Sequence, residues 1–182
     1  MPSENDLAIV KVFKFDPNID KKPQYSEFRI PIEGMSVLDV LKTVYDDFDA
    51  ELAFRWGCEG AGDCRCGACA VTVNGMPVLA CRKKAEPDML IEPHPKFEII
   101  RDLVVDFNSV RQEIPETHTS VKIIIDPEKC IKCSDCVNIC PVGVYKAEKG
   151  EIFPATPQFC LGETCRQCVT YCQANAIAIE SI

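Results

Sequence analysis

The chain has 182 residues and no apolar run approaching the ~20 residues that a bilayer-spanning helix needs, so direct membrane insertion is not expected. The first ten residues, Met1 to Val10, carry acids, no base and no apolar signal segment, which is unlike a secretory or mitochondrial presequence. Positive charge is also short. Twenty Lys and Arg against 28 Asp and Glu leave a formal net charge of −8. Gripping phosphates takes a basic surface, so no nucleic-acid partner is expected, nor a sensor that reads one. Histidine is scarce. His94 and His118 are the only two, both in Pro- or Thr-rich sequence apart from other ligand types, and both read as surface loop. Gly57, Gly60 and Gly62 lie outside any strand-then-helix setting, so they make no nucleotide loop. No nucleophile–base arrangement stands out either, and the chain is read as non-catalytic.

What is abundant is cysteine. Thirteen residues is far above ordinary usage. The odd number, the missing signal segment and the metal-type spacings argue against a disulfide framework and for a reducing cytoplasm. One run, Cys130-Ile-Lys-Cys133-Ser-Asp-Cys136-Val-Asn-Ile-Cys140-Pro141, has the spacing C-x2-C-x2-C-x3-C-P that holds [4Fe-4S] clusters in bacterial-type ferredoxins. Two-residue gaps let one tight loop wrap three thiolates around a cubane. The fourth, Cys140, expected at a helix start, then points towards a second cluster. Pro141 suits that turn because it needs no backbone donor.

A second run completes the set: Cys160-(x)4-Cys165-(x)2-Cys168-(x)3-Cys172, in which Gly162 gives the wider first gap some freedom. Cys140-Pro-Val-Gly-Val-Tyr is echoed by Cys172-Gln-Ala-Asn-Ala-Ile, an internal repeat that implies two clusters about a pseudo-twofold axis. The expected sharing is Cys130, Cys133, Cys136 and Cys172 on the first [4Fe-4S] cluster, with Cys140, Cys160, Cys165 and Cys168 on the second. Zinc is the structural rival, but three thiolates at x2, x2 plus a crossed fourth over-supply a zinc knuckle.

Upstream, Leu7 to Phe15 and Gln24 to Ile32 read as two strands of a hairpin. Ser36 reads as an N-cap with Asp39 in the capping-box position. The helix from Val37 to about Phe48 carries Val37, Leu38, Leu41, Val44, Tyr45 and Phe48 as a core stripe. A Cys-rich loop follows, from Arg55 to Ala70, with Cys58, Cys64, Cys66 and Cys69. Then come strand residues Val71 to Val73, a two-residue Asn74-Gly75 hairpin turn and a return to Cys81. Met89 to Ile91 reads as the last strand of this first domain, Asp102 to about Arg111 as a short linking helix, and Ile114 to Ser120 as linker. Arg82 to Lys84 reads as a solvated turn, and Val121 to Asp126 as the opening strand of a second domain.

The order strand, strand, helix, Cys-rich loop is that of the β-grasp ferredoxins. Cys66-Gly-Ala-Cys69-Ala followed by Val-Asn-Gly-(x)3-Leu-Ala-Cys81 resembles the [2Fe-2S] domain of succinate dehydrogenase/fumarate reductase iron–sulfur subunits, with eleven residues between Cys69 and Cys81 as in that family. Ile100-Arg-Asp-Leu-Val-Val-Asp106 resembles the segment with which that family leaves its first domain. The resemblance implies Cys58, Cys66, Cys69 and Cys81 as the N-terminal cluster ligands. Seven residues separate Cys58 from Cys66 where the family has four, and Cys64 is an extra thiol in the insertion. A [2Fe-2S] cluster is favoured by the family spacing. A [4Fe-4S] cluster, with Cys64 as alternative ligand, is left open by the longer loop.

The fold class expected is therefore α+β: a β-grasp, plant-type ferredoxin-like domain over 1–98, a linker with a short helix over 99–120, and a bacterial two-[4Fe-4S] ferredoxin-like domain over 121–182. Three clusters and no substrate site read as an electron wire serving a larger catalytic oxidoreductase subunit, in anaerobic metabolism. The resemblance implies a flavoprotein of the succinate dehydrogenase/fumarate reductase type. A tungsten- or molybdenum-cofactor oxidoreductase of the aldehyde or aromatic-acyl-CoA reductase kind, a free-standing soluble ferredoxin, and a further redox carrier as second partner stay open at this point.

Overall fold

The computed structural model describes residues 7–57, 66–115 and 121–182. Its first part is a five-stranded mixed sheet with one helix. Strand β1 (Leu7–Lys14) pairs antiparallel with β2 (Gln24–Pro31), from Leu7 opposite Pro31 to Lys14 opposite Gln24. Helix α1 (Val37–Asp47) follows, then β3 (Ala70–Val73), β4 (Met76–Leu79) and β5 (Asp88–Pro93). The strand order is β2-β1-β5-β3-β4, with β1 and β5 parallel. β5 is thus not a closing edge but the centre of the sheet, which suits the burial of its Met89 and Ile91.

The helix forms as its sequence implies. The Ser36 hydroxyl accepts from the Asp39 N–H and the Asp39 carboxylate accepts from the Ser36 N–H, so two otherwise orphaned donors at the helix start are satisfied. Val37, Leu38, Val40, Leu41 and Val44 are buried in one cluster with Val10, Val12, Ile30 and Ile91. Tyr45 and Phe48, expected in the same stripe, are 40% and 55% exposed. They sit on the rim and meet aromatic partners there, Tyr45 against Phe54 and Phe48 against Phe28. Asn74 and Gly75 take φ of 50° and 80°, the left-handed pair that a type I′ hairpin demands. Pro77 is tolerated because β4 is an edge strand.

The expected linking helix from Asp102 is replaced by a hairpin of β6 (Glu98–Arg101) and β7 (Val104–Asp106). Its turn is pinned by Asp102, 2% exposed at φ 47°. The Asp102 carboxylate accepts from the N–H groups of Phe15 and Ala53, both at 2.9 Å, and the Asp102 N–H donates to the Phe15 carbonyl at 2.7 Å. Lys14 Nζ balances the charge at 3.3 Å. The β-branched run on both sides favours strands, and these tertiary bonds override local helix propensity.

The second part is a duplicated unit. β8 (Val121–Ile125) pairs antiparallel with β11 (Ile177–Ser181), and β9 (Tyr145–Glu148) with β10 (Glu151–Pro154). Helices α2 (Asp135–Ile139) and α3 (Gln167–Tyr171) each start after a residue in the left-handed region, Ser134 and Arg166. Cys140 and Cys172 are the C-caps of these helices, so Cys140 ends a helix where its spacing suggests a helix start. Three residues on, Gly143 (φ 56°) and Asn175 (φ 49°) turn the chain into a strand in both halves. No helix among the described residues is long and apolar enough to cross a membrane.

Candidate metal centres

None of the eleven described cysteines is in a disulfide. Among the described residues no three His, Cys, Asp or Glu side chains close on one point as ligands of a single metal ion would. The cysteines of the second part stand instead around two cavities. One, of about 360 Å³ of empty space, is lined by Cys130, Cys133, Cys136 and Cys172, with Ile125, Ile131 and Ile152 among its apolar walls. The other, of about 310 Å³, is lined by Cys140, Cys160, Cys165 and Cys168, with Val144, Leu161 and Ile179. Each cavity takes cysteines from both sequence runs. The crossing follows from the helices: Cys136 and Cys168 lie one residue inside α2 and α3, while the C-cap cysteines at the far ends face the neighbouring cavity.

The chemistry of each donor set suits an iron–sulfur cubane: four soft thiols and apolar walls. Backbone N–H groups already point at sulfur. Val144 donates to Cys140 Sγ and Ala176 to Cys172 Sγ, both at 3.3 Å and both four residues on, which is the duplication expressed in hydrogen bonds. Gly162 donates to Cys160 Sγ at 3.4 Å and the Tyr145 hydroxyl to Cys168 Sγ at 3.1 Å. Burial, and then the Cys168 thiolate beside it, push the Tyr145 phenol well above its usual range, so it remains a donor. Burial likewise pushes the Cys160 thiol up to about 12 and those of Cys136 and Cys165 up to about 11. Burial disfavours the charged thiolate, and a bound metal would favour it.

In the first part, Cys66 and Cys69 lie between α1 and β3, and Cys81 follows β4. Cys69 is buried and Cys81 half-buried, with their Sγ atoms 3.3 Å apart, too far for a bond and near enough to reach one small inorganic group. Cys66 is exposed at the loop surface, its Sγ 3.5 Å from where a Cβ on Gly57 would stand. Cys58 and Cys64 lie outside the described residues, as do Gly60, Gly62 and His118.

The two parts meet beside the second cavity. Gly67, between Cys66 and Cys69, is packed against Pro141, the neighbour of Cys140. The Leu79 N–H donates to Thr164 Oγ1 at 3.0 Å, next to Cys165. The charge of Arg82, adjacent to Cys81, draws the raised Cys165 pKa partly back. Cys136 in turn feels the Cys168 thiolate. The N-terminal thiol segment therefore borders the cavity of Cys140, and Cys136 of the other cavity lies within electrostatic reach of Cys168.

His94 corrects its expectation. It is fully buried, with its ring 5.1 Å from that of Phe97 and 5.9 Å from that of Phe159. Pro93 and Pro95 make it look like loop, but Phe159 of the second part covers it. Nothing local in the sequence signals that cover. Tyr145 and Lys96, whose roles also depend on packing between distant segments, escape a sequence reading for the same reason. The basic turn behaves as expected at Arg82 and Lys84, which are exposed, while Lys83 pairs with Glu86.

Residues 9–112 match a family described as a 2Fe-2S iron-sulfur cluster binding domain, and residues 122–145 match a 4Fe-4S binding domain. A fumarate reductase iron-sulfur subunit of Wolinella succinogenes is 30% identical over 169 residues, covering 78% of this chain and 70% of that protein. The chain belongs to the succinate dehydrogenase/fumarate reductase iron–sulfur subunit family. A subunit of the CoM/CoB fumarate reductase of Methanothermobacter marburgensis is 34% identical over 152 residues, 73% of this chain. The present chain spans 30% of that longer relative's length. A solved Mycobacterium smegmatis Sdh1 complex in the apo form has a chain of 24% identity and TM-score 0.47, covering 75% of this chain and 64% of that one.

Proposed function

We propose that this member of the family is a cytoplasmic electron-transfer subunit with three iron–sulfur clusters, joined to a larger catalytic oxidoreductase subunit of the fumarate reductase/succinate dehydrogenase flavoprotein type. Its first part is read as a β-grasp ferredoxin domain (1–98), with 99–120 as the connection. Its second part (121–182) is read as a two-[4Fe-4S] ferredoxin domain. Cys58, Cys66, Cys69 and Cys81 would hold the first cluster, read as [2Fe-2S]. Cys130, Cys133, Cys136 and Cys172 would hold one [4Fe-4S] cluster, and Cys140, Cys160, Cys165 and Cys168 the other. Bound clusters supply one-electron carriers, which no amino-acid side chain provides at ordinary potentials.

The observation that carries this reading is the crossed lining of the two cavities, four thiols each and each drawing on both runs. The chain's own part is to space the three sites in a row, keep water from the sulfurs with Val144, Leu161 and Ile179, and aim N–H and O–H donors at thiolates. A partner surface is supported by Tyr45, Phe54 and Trp56, an edge-to-face aromatic row beside Gly57 with Trp56 54% exposed. A further redox carrier would dock at the other end, by the cavity of Cys130, where Ile131 is 65% exposed.

Iron and acid-labile sulfide analysis with EPR of the reduced protein tests the cofactor content. Ten to twelve irons per chain are expected on the cluster stoichiometries of the ligand sets. Four zinc ions and no sulfide would end the reading. Identification of the subunit that co-purifies from the native source tests the partner. A flavoprotein is the expected result.

A further inference from the structure

Lys96 belongs to the first part of the chain, yet its ammonium is spent on the second. Nζ donates to the Val142 carbonyl at 2.6 Å and to the Gly143 carbonyl at 2.8 Å. These two residues form the turn that follows Cys140-Pro141 and lines the cavity of Cys140, Cys160, Cys165 and Cys168. The turn is tightly specified. The Gly143 N–H donates to the Cys140 carbonyl, and the Val144 N–H donates to Cys140 Sγ at 3.3 Å. Gly143 sits at φ 56°, and a Cβ there would stand 3.3 Å from Lys96 Nζ. The ammonium also lies 5.9 Å from the ring of Phe97 and 5.7 Å from the ring of Phe159, the residue before Cys160. The equivalent turn after Cys172 holds Asn175 at φ 49° and has the matching Ala176 N–H to Cys172 Sγ bond. Lys96 thus brings a positive charge from the first part of the chain onto the carbonyls of the turn after Cys140.

We propose that Lys96 is a positioning residue and a fixed positive charge that sets the middle [4Fe-4S] site apart from the outer one, holding the Cys140 turn in place and making reduction there easier. The inference rests on the cluster assignment proposed above. The step is simple to balance: one electron from the reductant enters the site, no proton leaves Lys96, and the site becomes one unit more negative beside an unchanged cation. Attraction between them is greater after reduction than before, so the cation favours the reduced form. Burial lowers the Lys96 pKa, the Cys140 thiolate raises it again, and Lys146 is the other cation that acts on it. Its aromatic neighbours and the two carbonyls stabilise the charged form in place of water.

The test is a dithionite redox titration of the full chain loaded with its clusters, followed by EPR, comparing Lys96→Met, Lys96→Gln and Lys96→Arg with the unaltered protein. Iron and sulfide counts are taken on each sample first. Expected is one [4Fe-4S] signal that becomes harder to reduce by about tenfold in the Met and Gln variants, equal to about 59 mV for a one-electron couple. The other two potentials stay in place, and Arg restores the first. Gln keeps a donor for the turn without the charge. It therefore supplies the reading if Met fails to load, and a shift in Gln equal to that in Met assigns the effect to charge. Potentials unchanged in every variant that loads would overturn the proposal, as would an equal shift of all three. Unaltered protein without iron and sulfide would instead overturn the cluster assignment.

Discussion

Gly67 and Pro141 are in direct contact across the boundary between the two parts of the chain. A Cβ on Gly67 would stand 2.3 Å from Pro141 Cβ and 2.9 Å from its Cγ. Gly67 also holds φ 68°, a conformation that side chains rarely adopt. One glycine therefore lets the N-terminal thiol loop approach the turn of Cys140 with nothing between but backbone and a proline ring. Gly67→Ala should cost roughly 2 kcal/mol or more from backbone strain and the clash. In a chain of this length that is about 4–8 °C in Tm. Electron transfer between the first cluster and the others should slow as the two parts are pushed apart. Calorimetry and freeze-quench EPR check both. A variant with unaltered Tm and transfer rate would show that the contact is not needed.

Cys69 and Cys81 stand together in the structure, and Cys64 is the odd thiol of its loop. Cys69→Ser and Cys81→Ser should each remove the N-terminal cluster signal and its iron. Cys64→Ser should leave iron and sulfide unchanged. Loss of that signal in Cys64→Ser would mean that the alternative ligand set applies.

The Tyr145 hydroxyl donates to Cys168 Sγ at 3.1 Å inside the cavity of Cys140. A donor to a ligating sulfur offsets its negative charge and raises the potential. Tyr145→Phe should lower one [4Fe-4S] potential by about 20–65 mV, the one-electron equivalent of a hydrogen bond of roughly 0.5–1.5 kcal/mol. A redox titration reads the shift. Because Tyr145 and Lys96 act on the same proposed site, both variants should move the same signal.

His94 carries the clearest pH dependence. Burial, opposed by the Phe159 backbone carbonyl and reinforced by Lys96, lowers its pKa from 6.5 to about 4. Among the described residues Nε2 has no hydrogen-bond partner of good geometry, and burial favours the neutral imidazole. The unfolded chain takes up a proton below about pH 6.5 that the folded chain refuses down to about 4. Stability from this residue is complete above 6.5 and falls as the pH falls, by roughly 2 kcal/mol at pH 5. His94→Phe should sit well between Phe97 and Phe159 and flatten that acid limb. The drop in Tm from pH 7 to pH 5, compared between the two proteins, measures it. Equal drops would remove His94 from the account.

Much of the local structure was legible from residues alone, because the signals are local. Ser36 and Asp39 form their capping box, Asn74-Gly75 its turn, and β1 and β2 their hairpin within a residue of expectation. The reading failed where distant chain decides. Asp102 reads as the start of a helix until Phe15 and Ala53 claim its carboxylate and make it a hairpin turn. His94 reads as surface until Phe159 covers it.

The spacing of cysteines by itself pointed to two sets of four soft ligands in the second part, because loop length limits which thiols can surround one small cage. That the N-terminal thiol loop lies against the turn of Cys140, and that a lysine of the first part reaches the same turn, was decided only by the tertiary structure. The close approach of Gly67 to Pro141 and the reach of Lys96 to Val142 and Gly143 join segments more than forty residues apart. Contacts of that range arise from how the two parts pack, and no sequence period records them.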